Sequence, residues 1–484
     1  MDSSLARLTA VCLCSAVVLC CTDDRAPESP EPVFETLPAA VVERAVRVRE
    51  RALEDSRAYD FLAALTTEVG PRFAGTAGDR RAVEWAQREL EELGFDEVWT
   101  EEVMVPRWIR GKALGEIVGP WPQPVVLVAL GGSVGTPAGG IEAEVVEVSS
   151  LEQLEGLDRA SVADKIVFIN QRMRRARDGS GYGETVSIRG RGPSRAGALG
   201  AVAVVIRSVG TSNNRLAHTG GTRYEDGVPK IPAAALSNPD ADLLAAQIAS
   251  GESVHFKLEL GSHYLPDVPS ANVFAEIHGR DRPQEVVLLA AHLDSWDLGT
   301  GAIDDGAGCA IITEAARLIG ELDRPPRRTI RVWLTANEEF GLSGARAYGE
   351  RHAAEIDLHV AATESDFGAG RVWAMHSRVA EAALPIVRDL ALLLEPLGIE
   401  YGGNEARGGA DLRPLREHRV PFFDLRQDGS EYFDFHHTAN DTLDKVDPEA
   451  LAQNVAAYAV TALVLADLEV DFGPAAPFPE RPGR

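Results

Sequence analysis

Three patterns of apolar and polar positions follow one another along this chain, and each predicts a different element. From Val41 to about Leu93 apolar side chains recur every three to four positions, the spacing of an amphipathic helix. Gly70-Pro71-Arg72-Phe73-Ala74-Gly75-Thr76 breaks that run with turn chemistry, so the segment reads as helix, loop, helix, with Gly94 closing the second helix. Glu97 to Val105 then alternates apolar and polar residues as a strand does. Between about Trp121 and Ser262 lie short β-branched runs separated by Gly-rich turns, among them Pro124 to Leu130, Glu144 to Val148, Lys165 to Ile169 and Ala201 to Ile206. They predict an inserted, β-rich domain, and within it the charged, Gly-rich stretch Arg172 to Arg195 reads as a long loop. After Ser270 the runs Glu285 to Ala291, Thr329 to Ala336 and Leu358 to Ala362 are almost wholly apolar, as strands buried on both faces are. Helical patterns at about Asp305 to Leu322 and Ala345 to Glu355 lie between them, which predicts an α/β fold with a mixed, mostly parallel sheet flanked by helices.

Length and composition add limits. A chain of 484 residues exceeds one usual domain. Its net charge of -26 repels polyanions, so nucleic acid is not an expected partner. The apolar run Leu8 to Cys21, with Arg7 before it and Thr22-Asp23-Asp24 after it, is shorter than the roughly 20 residues that span a bilayer and reads as an export signal over residues 1–21. Cys20 and Cys21 stand where a bacterial lipoprotein signal places its lipidated cysteine. The location expected is therefore periplasmic, extracellular or on the outer membrane, with a lipid anchor the sole membrane contact. Four of the five cysteines fall in this segment, leaving Cys309 alone in the folded part, which excludes a disulfide framework. The expected order is signal 1–21, linker 22–40, first part of the main domain 41–125, insert 126–262, second part 263–470 and tail 471–484.

The chemistry gathers at strand ends. His292-Leu293-Asp294 follows one apolar strand, Glu338-Glu339 follows the next, and Asp366 lies just past the third. In an open α/β sheet the carboxyl ends of the strands form the ligand crevice, so topology would bring these distant residues together. Imidazole mixed with carboxylate suits Zn²⁺, whereas an all-oxygen set would suit Mg²⁺ or Ca²⁺. Taken singly, each has a plain structural explanation: a buried histidine at His292, a helix cap at Asp304-Asp305, a solvated pair at Glu338-Glu339, and a doublet packed on aromatic residues at His436-His437.

The ordered segments His292-Leu293-Asp294-Ser295-Trp296-Asp297, Gly301-Ala302-Ile303-Asp304-Asp305-Gly306-Ala307-Gly308, Asn337-Glu338-Glu339-Phe340-Gly341, Glu364-Ser365-Asp366 and His436-His437-Thr438-Ala439-Asn440-Asp441-Thr442 together resemble the signature of the co-catalytic zinc exopeptidases. That family includes leucine aminopeptidases and glutamate carboxypeptidases. The resemblance implies two Zn²⁺ ions: Asp304 bridges them, Glu339 and His437 complete one site, and His292 and Asp366 complete the other. His437 is chosen over His436 by its spacing to Asp441. It further implies Glu338 as general base, Asp294 as the carboxylate that orients His292, a cis peptide at Asp304-Asp305, and a protease-associated domain at about 126 to 262, in which Lys230-Ile231-Pro232-Ala233-Ala234-Ala235 is the most recognisable piece. His436 stands where glutamate carboxypeptidases have a Tyr and is expected to stabilise the oxyanion. The partner expected is a peptide or dipeptide substrate, and a homodimer is among the expected assemblies. An aminopeptidase would need a carboxylate such as Glu405 or Asp411 for a free amine, and a carboxypeptidase or dipeptidase a cation such as Arg407 or Arg413 for a free carboxylate. A non-catalytic, receptor-like binding protein on the same fold is the rival from another class.

Overall fold

The computed structural model describes residues 34–478. The expected export signal, most of the expected linker and the last residues of the tail lie outside the described residues. Ala39–Glu54 is helical and buries Val41, Ala45, Val48 and Ala52 along one face. The helix Ala77–Glu92 begins where the Thr76 hydroxyl accepts from Asp79 N at 3.3 Å, and the chain leaves it through Gly94 at φ +82°. Both devices are local, a side-chain acceptor for an orphan N–H and a left-handed residue after the last turn, and the second is the one the sequence pattern predicts.

The large sheet runs edge to edge through Glu97–Ile109, His263–Ile277, Arg328–Thr335, Arg282–His292, His359–Glu364, Phe422–Gln427, Val372–Arg378 and Glu400–Gly403. Its four central strands, from Arg328–Thr335 to Phe422–Gln427, are parallel, whereas Glu97–Ile109 and Val372–Arg378 pair antiparallel with their inner neighbours. Helices cover the sheet, which is why its central strands are apolar on both faces. One of them, Pro448–Asp467, is long and apolar enough to cross a membrane, but 89% of it is buried against the rest of the fold, notably Ala39–Glu54 and Ala307–Gly320. A helix apolar all round has to be buried somewhere, and here the protein core takes it.

A second sheet has the order Gln123–Val125, Ala113–Gly119, His255–Leu260, Ile141–Val148, Ile166–Ile169, Ala203–Arg207, Ala233–Leu236 and Leu127–Ala129. Both of its faces are buried. Ile166, Phe168, Val205 and Leu236 point into one apolar cluster, and their neighbours Val167, Ile169, Val204 and Ala235 into the other. Two of its strands precede residue 126, where the insert was expected to begin, because Ala113–Gly119 pairs along His255–Leu260. The unit is also less purely β than its β-branched runs suggested, since Ser187–Ala198 and Asn238–Ala249 are helices. Two antiparallel strands, Glu97–Ile109 and His263–Ile277, carry the chain out to this unit and back.

The stretch Arg172 to Arg195 is not one long loop. It forms the helices Ser180–Thr185 and Ser187–Ala198, the latter with Pro193 inside it. Its glycines suggested turns, and Gly179 does take φ +70°, yet Gly181 and Gly192 serve close packing. A Cβ on Gly181 would lie 1.9 Å from the Arg174 carbonyl oxygen, and one on Gly192 would lie 2.7 Å from the Ile169 side chain.

Candidate active site

Parallel pairing converts sequence into a site. Arg282–His292 lies between Arg328–Thr335 and His359–Glu364, in parallel to both, so all three chains emerge at the same edge. His292 is the last residue of its strand, Glu338 and Glu339 follow the second, and Asp366 follows the third. Two turns close the site. Ala302–Gly306, with a cis Asp304–Asp305 bond, presents Asp304, and the segment after the helix Tyr432–Phe435 presents His436 and His437.

The donor atoms form two groups that share one residue. His292 Nε2 lies 3.3 Å from Asp304 Oδ1 and 3.4 Å from Asp366 Oδ1. On the other side His437 Nε2 lies 3.1 Å from Asp304 Oδ2 and 3.0 Å from Glu339 Oε2. Two ligands each about 2.0–2.1 Å from one tetrahedral zinc stand about 3.3 Å apart, so both groups have the spacing of a coordination shell. The buried atoms Asp304 Oδ2 and Glu339 Oε1 have no hydrogen-bond donor. Such orphaned carboxylate oxygens call for a cation. The residues therefore fit the pair of zinc ions that the donor chemistry suggests.

The His292 ring is held in the tautomer that a ligand needs: Nδ1 faces the Asp294 carbonyl at 3.0 Å, and a proton there leaves the Nε2 lone pair pointing at the carboxylates. His437 Nδ1 faces both the Thr219 carbonyl and Arg189 Nη1, each at 3.3 Å. His436 differs: its Nδ1 is buried without a partner, its Nε2 is 3.6 Å from Asp304 Oδ2, and its ring stacks on His437 with centroids 3.5 Å apart. The Asp294 carboxylate was expected to orient His292, but it lies 3.7 Å from Nδ1 and instead accepts from Glu338 N at 2.9 Å. The ring's own Nδ1–H donates to the main-chain carbonyl of Asp294. Asp305 answers the capping explanation, accepting from Gly308 N at 3.0 Å and His292 N at 3.1 Å, while Asp304 faces the site.

Burial and charge set the electrostatics. Burial, then the nearby Asp366 charge, pushes the Glu338 carboxyl up to about 8. Burial also lowers the His437 imidazole to about 4, which keeps it neutral. Glu338 lines a pocket of about 530 Å³ together with Asp304, Glu339, Asp366 and His437. Of the four terminus-recognising candidates, Arg413 alone lines this pocket. Asp411 is fully buried and bound by the Thr335 hydroxyl, while the exposed Glu405 lies 3.4 Å from His376. Arg407 is exposed, and its main-chain N–H goes to Asp424.

Several site residues escaped the sequence pattern. Arg189 and Tyr182, from the stretch read as a loop, line the pocket wall, and Arg189 Nη2 donates to the Tyr182 hydroxyl at 2.5 Å. Trp296 Nε1 donates to Glu339 Oε2 at 2.6 Å. Arg72, fully buried, grips the main chain ahead of Asp304 through Leu293 O, Thr300 O at 2.6 Å and Gly301 O at 2.8 Å. Periodicity does not mark Arg72 or Trp296, because their partners are main-chain carbonyls or a side chain 43 positions away.

Known proteins share this arrangement. Residues 272–462 match the pattern of peptidase family M28. Carboxypeptidase Q of Rattus norvegicus is 38% identical over 437 residues, 90% of this chain and 90% of the relative. A solved peptidase M28 precursor from Shewanella amazonensis SB2B is 50% identical, with TM-score 0.89 over 90% of this chain and 99% of that one. A zinc aminopeptidase from Bacillus subtilis, at 20% identity and TM-score 0.60 over 86% of this chain and 98% of that one, shares the fold. With that kinship running through both sheets, and a metal-spaced donor set at the strand ends, the chain belongs to peptidase family M28 and is a metallo-exopeptidase.

Proposed function

We propose that this chain is an exported di-zinc exopeptidase that cleaves dipeptides or removes C-terminal residues from peptides. The observation that carries the reading is the split of Asp304, whose Oδ1 faces His292 and whose Oδ2 faces His437. His292, Asp304 and Asp366 would hold one zinc, and Asp304, Glu339 and His437 the other. When bound, the zinc ions would supply Lewis acidity at the scissile carbonyl and lower the pKa of the attacking water. Glu338 would take the proton from the attacking water and return it to the departing amine. His436 lines the same pocket, and we assign it to the oxyanion of the tetrahedral intermediate. Asp294 holds the Glu338 main chain in place.

Specificity follows from the pocket wall. Arg189, Arg223 and Arg413 all line it, and among the described residues none of the three has an ion-pair partner, although acidic residues outnumber basic ones by 74 to 48. Unpaired guanidinium groups beside a hydrolytic centre favour a substrate with a free carboxylate. We assign the unit around the second sheet to a protease-associated domain that walls the pocket, and residues 1–21 to export, with Cys20 or Cys21 as a lipid anchor. The test is a digest of free, N-acetylated and C-amidated dipeptides, with and without chelator. Cleavage should survive acetylation, fall on amidation and stop on chelation. Cleavage of the amide that requires a free amine would instead identify an aminopeptidase, and a zinc-free, inert protein would identify a binding protein.

A further inference from the structure

The two donor groups are supported from different parts of the molecule. The described hydrogen bonds of His292 go to Asp294, Asp305 and Cys309, all in the large-sheet part of the chain. The His436-His437 turn is held from the second sheet's segment. Thr219 N donates to His437 O at 3.0 Å, and the Thr219 carbonyl faces His437 Nδ1 at 3.3 Å. His218 Nδ1 donates to His436 O at 2.7 Å, Thr211 N donates to Phe433 O at 2.9 Å, and Arg189 Nη1 donates to the Thr219 carbonyl at 3.3 Å. External support is needed because His437 sits at φ +60°, a left-handed conformation that a bulky residue adopts only when its surroundings impose it. The fit behind this bracket is close: a Cβ on Gly210 would lie 2.2 Å from the His218 ring, and one on Gly220 would lie 2.2 Å from Arg189 Nη1.

We propose that His218 and Thr219 are positioning residues for one of the two metals, so that the site built on His437 depends on the inserted segment and the site built on His292 does not. The inference rests on the two-zinc reading above. Outer partners of this kind fix a ligand's tautomer and orientation, and losing one costs about 10- to 100-fold in metal affinity. Zinc stoichiometry and affinity are measured by chelator competition and elemental analysis on the full chain. The variants are His218→Leu, which keeps bulk and removes the donor, and His218→Asn, which returns an amide N–H near the Nδ1 position. The wild type should bind two zinc ions tightly. His218→Leu should keep one tight site and weaken the other about 10- to 100-fold, and His218→Asn should recover much of the loss. Arg189→Met, which acts on the same turn by another route, should show the same asymmetry. Equal weakening of both sites, or no weakening in either the Leu or the Met variant, overturns the proposal and leaves the two-zinc reading standing. A wild type that binds fewer than two zinc ions overturns that reading, and this proposal with it, before any substitution is made.

Discussion

Replacing Arg72 with Met tests whether the loop ahead of Asp304 depends on one buried cation. The guanidinium is fully buried, has no ion-pair partner among the described residues, and binds Leu293 O, Thr300 O and Gly301 O. Methionine fills part of the same volume but offers no donor. Gly301 O keeps a bond from Gly306 N at 3.0 Å, whereas no other donor is described for Leu293 O and Thr300 O. Each orphaned carbonyl costs about 1–3 kcal/mol, so the gross loss is about 2–6 kcal/mol. Relief from burying a guanidinium offsets part of this, leaving about 3 kcal/mol. Spread over residues 34–478, at about 2.1 cal/mol/K of unfolding entropy per residue, that corresponds to a fall in Tm of about 3 °C. Arg72→Lys should fall between the two, since an ammonium cannot reproduce the planar fork. Scanning calorimetry of the zinc-free protein gives the Tm, and chelator competition shows whether zinc affinity falls with it. A Tm within about 1 °C of wild type, no more than the shift expected from a single lost bond, would refute the reasoning.

Three further outcomes are expected. Asp304→Ala should lose both zinc ions in elemental analysis, because each donor group contains one of its oxygens; a variant that still carries two would remove its bridging role. Glu338→Gln should keep both zinc ions and lose about 10²–10⁴ in kcat, the usual range for a general base, and retained turnover would place the base elsewhere. Away from the site, burial works against ionisation of Glu101, but hydrogen bonds from His352, Trp99 and Arg351 outweigh it and hold the carboxyl at about 2. With the folded pKa below the unfolded value of about 4.3, its contribution is present above that pH and is lost as pH falls towards about 2. Denaturant unfolding across this range should therefore show the gap between wild type and Glu101→Gln closing in acid, and a gap that stays constant with pH would contradict the assignment.

Much of the fold was legible because its causes are local. The left-handed Gly94 and the apolar strands Arg282–His292 and Arg328–Thr335 each depend on a few adjacent residues, and periodicity reports such residues well. The stretch Arg172 to Arg195 misled for a related reason. Glycine signals a turn when only the chain is known, but in Ser180–Thr185 and Ser187–Ala198 it makes room for the Arg174 carbonyl and the Ile169 side chain. Nor could the runs show that the second sheet takes in Ala113–Gly119, which joins it through a partner about 140 positions away in sequence, at His255–Leu260.

By itself the sequence offered the candidate donors and their order, His292, Glu338, Glu339 and Asp366 from their places after apolar strands and Asp304 and His437 from a family resemblance. Tertiary structure decided how those donors are divided and supported. It turned the two oxygens of Asp304 toward different histidines, moved the hydrogen bond on His292 from the Asp294 carboxylate to its carbonyl, and gave His437 a main-chain partner in Thr219 while leaving His436 Nδ1 without one. It also left Arg413 as the one terminus-recognising candidate in the pocket and added Arg189 from the insert. Which residue types are present is a property of the chain. Which atom of each faces a neighbour is set by strand register, turn conformation and packing between segments far apart in sequence, and no local pattern encodes that.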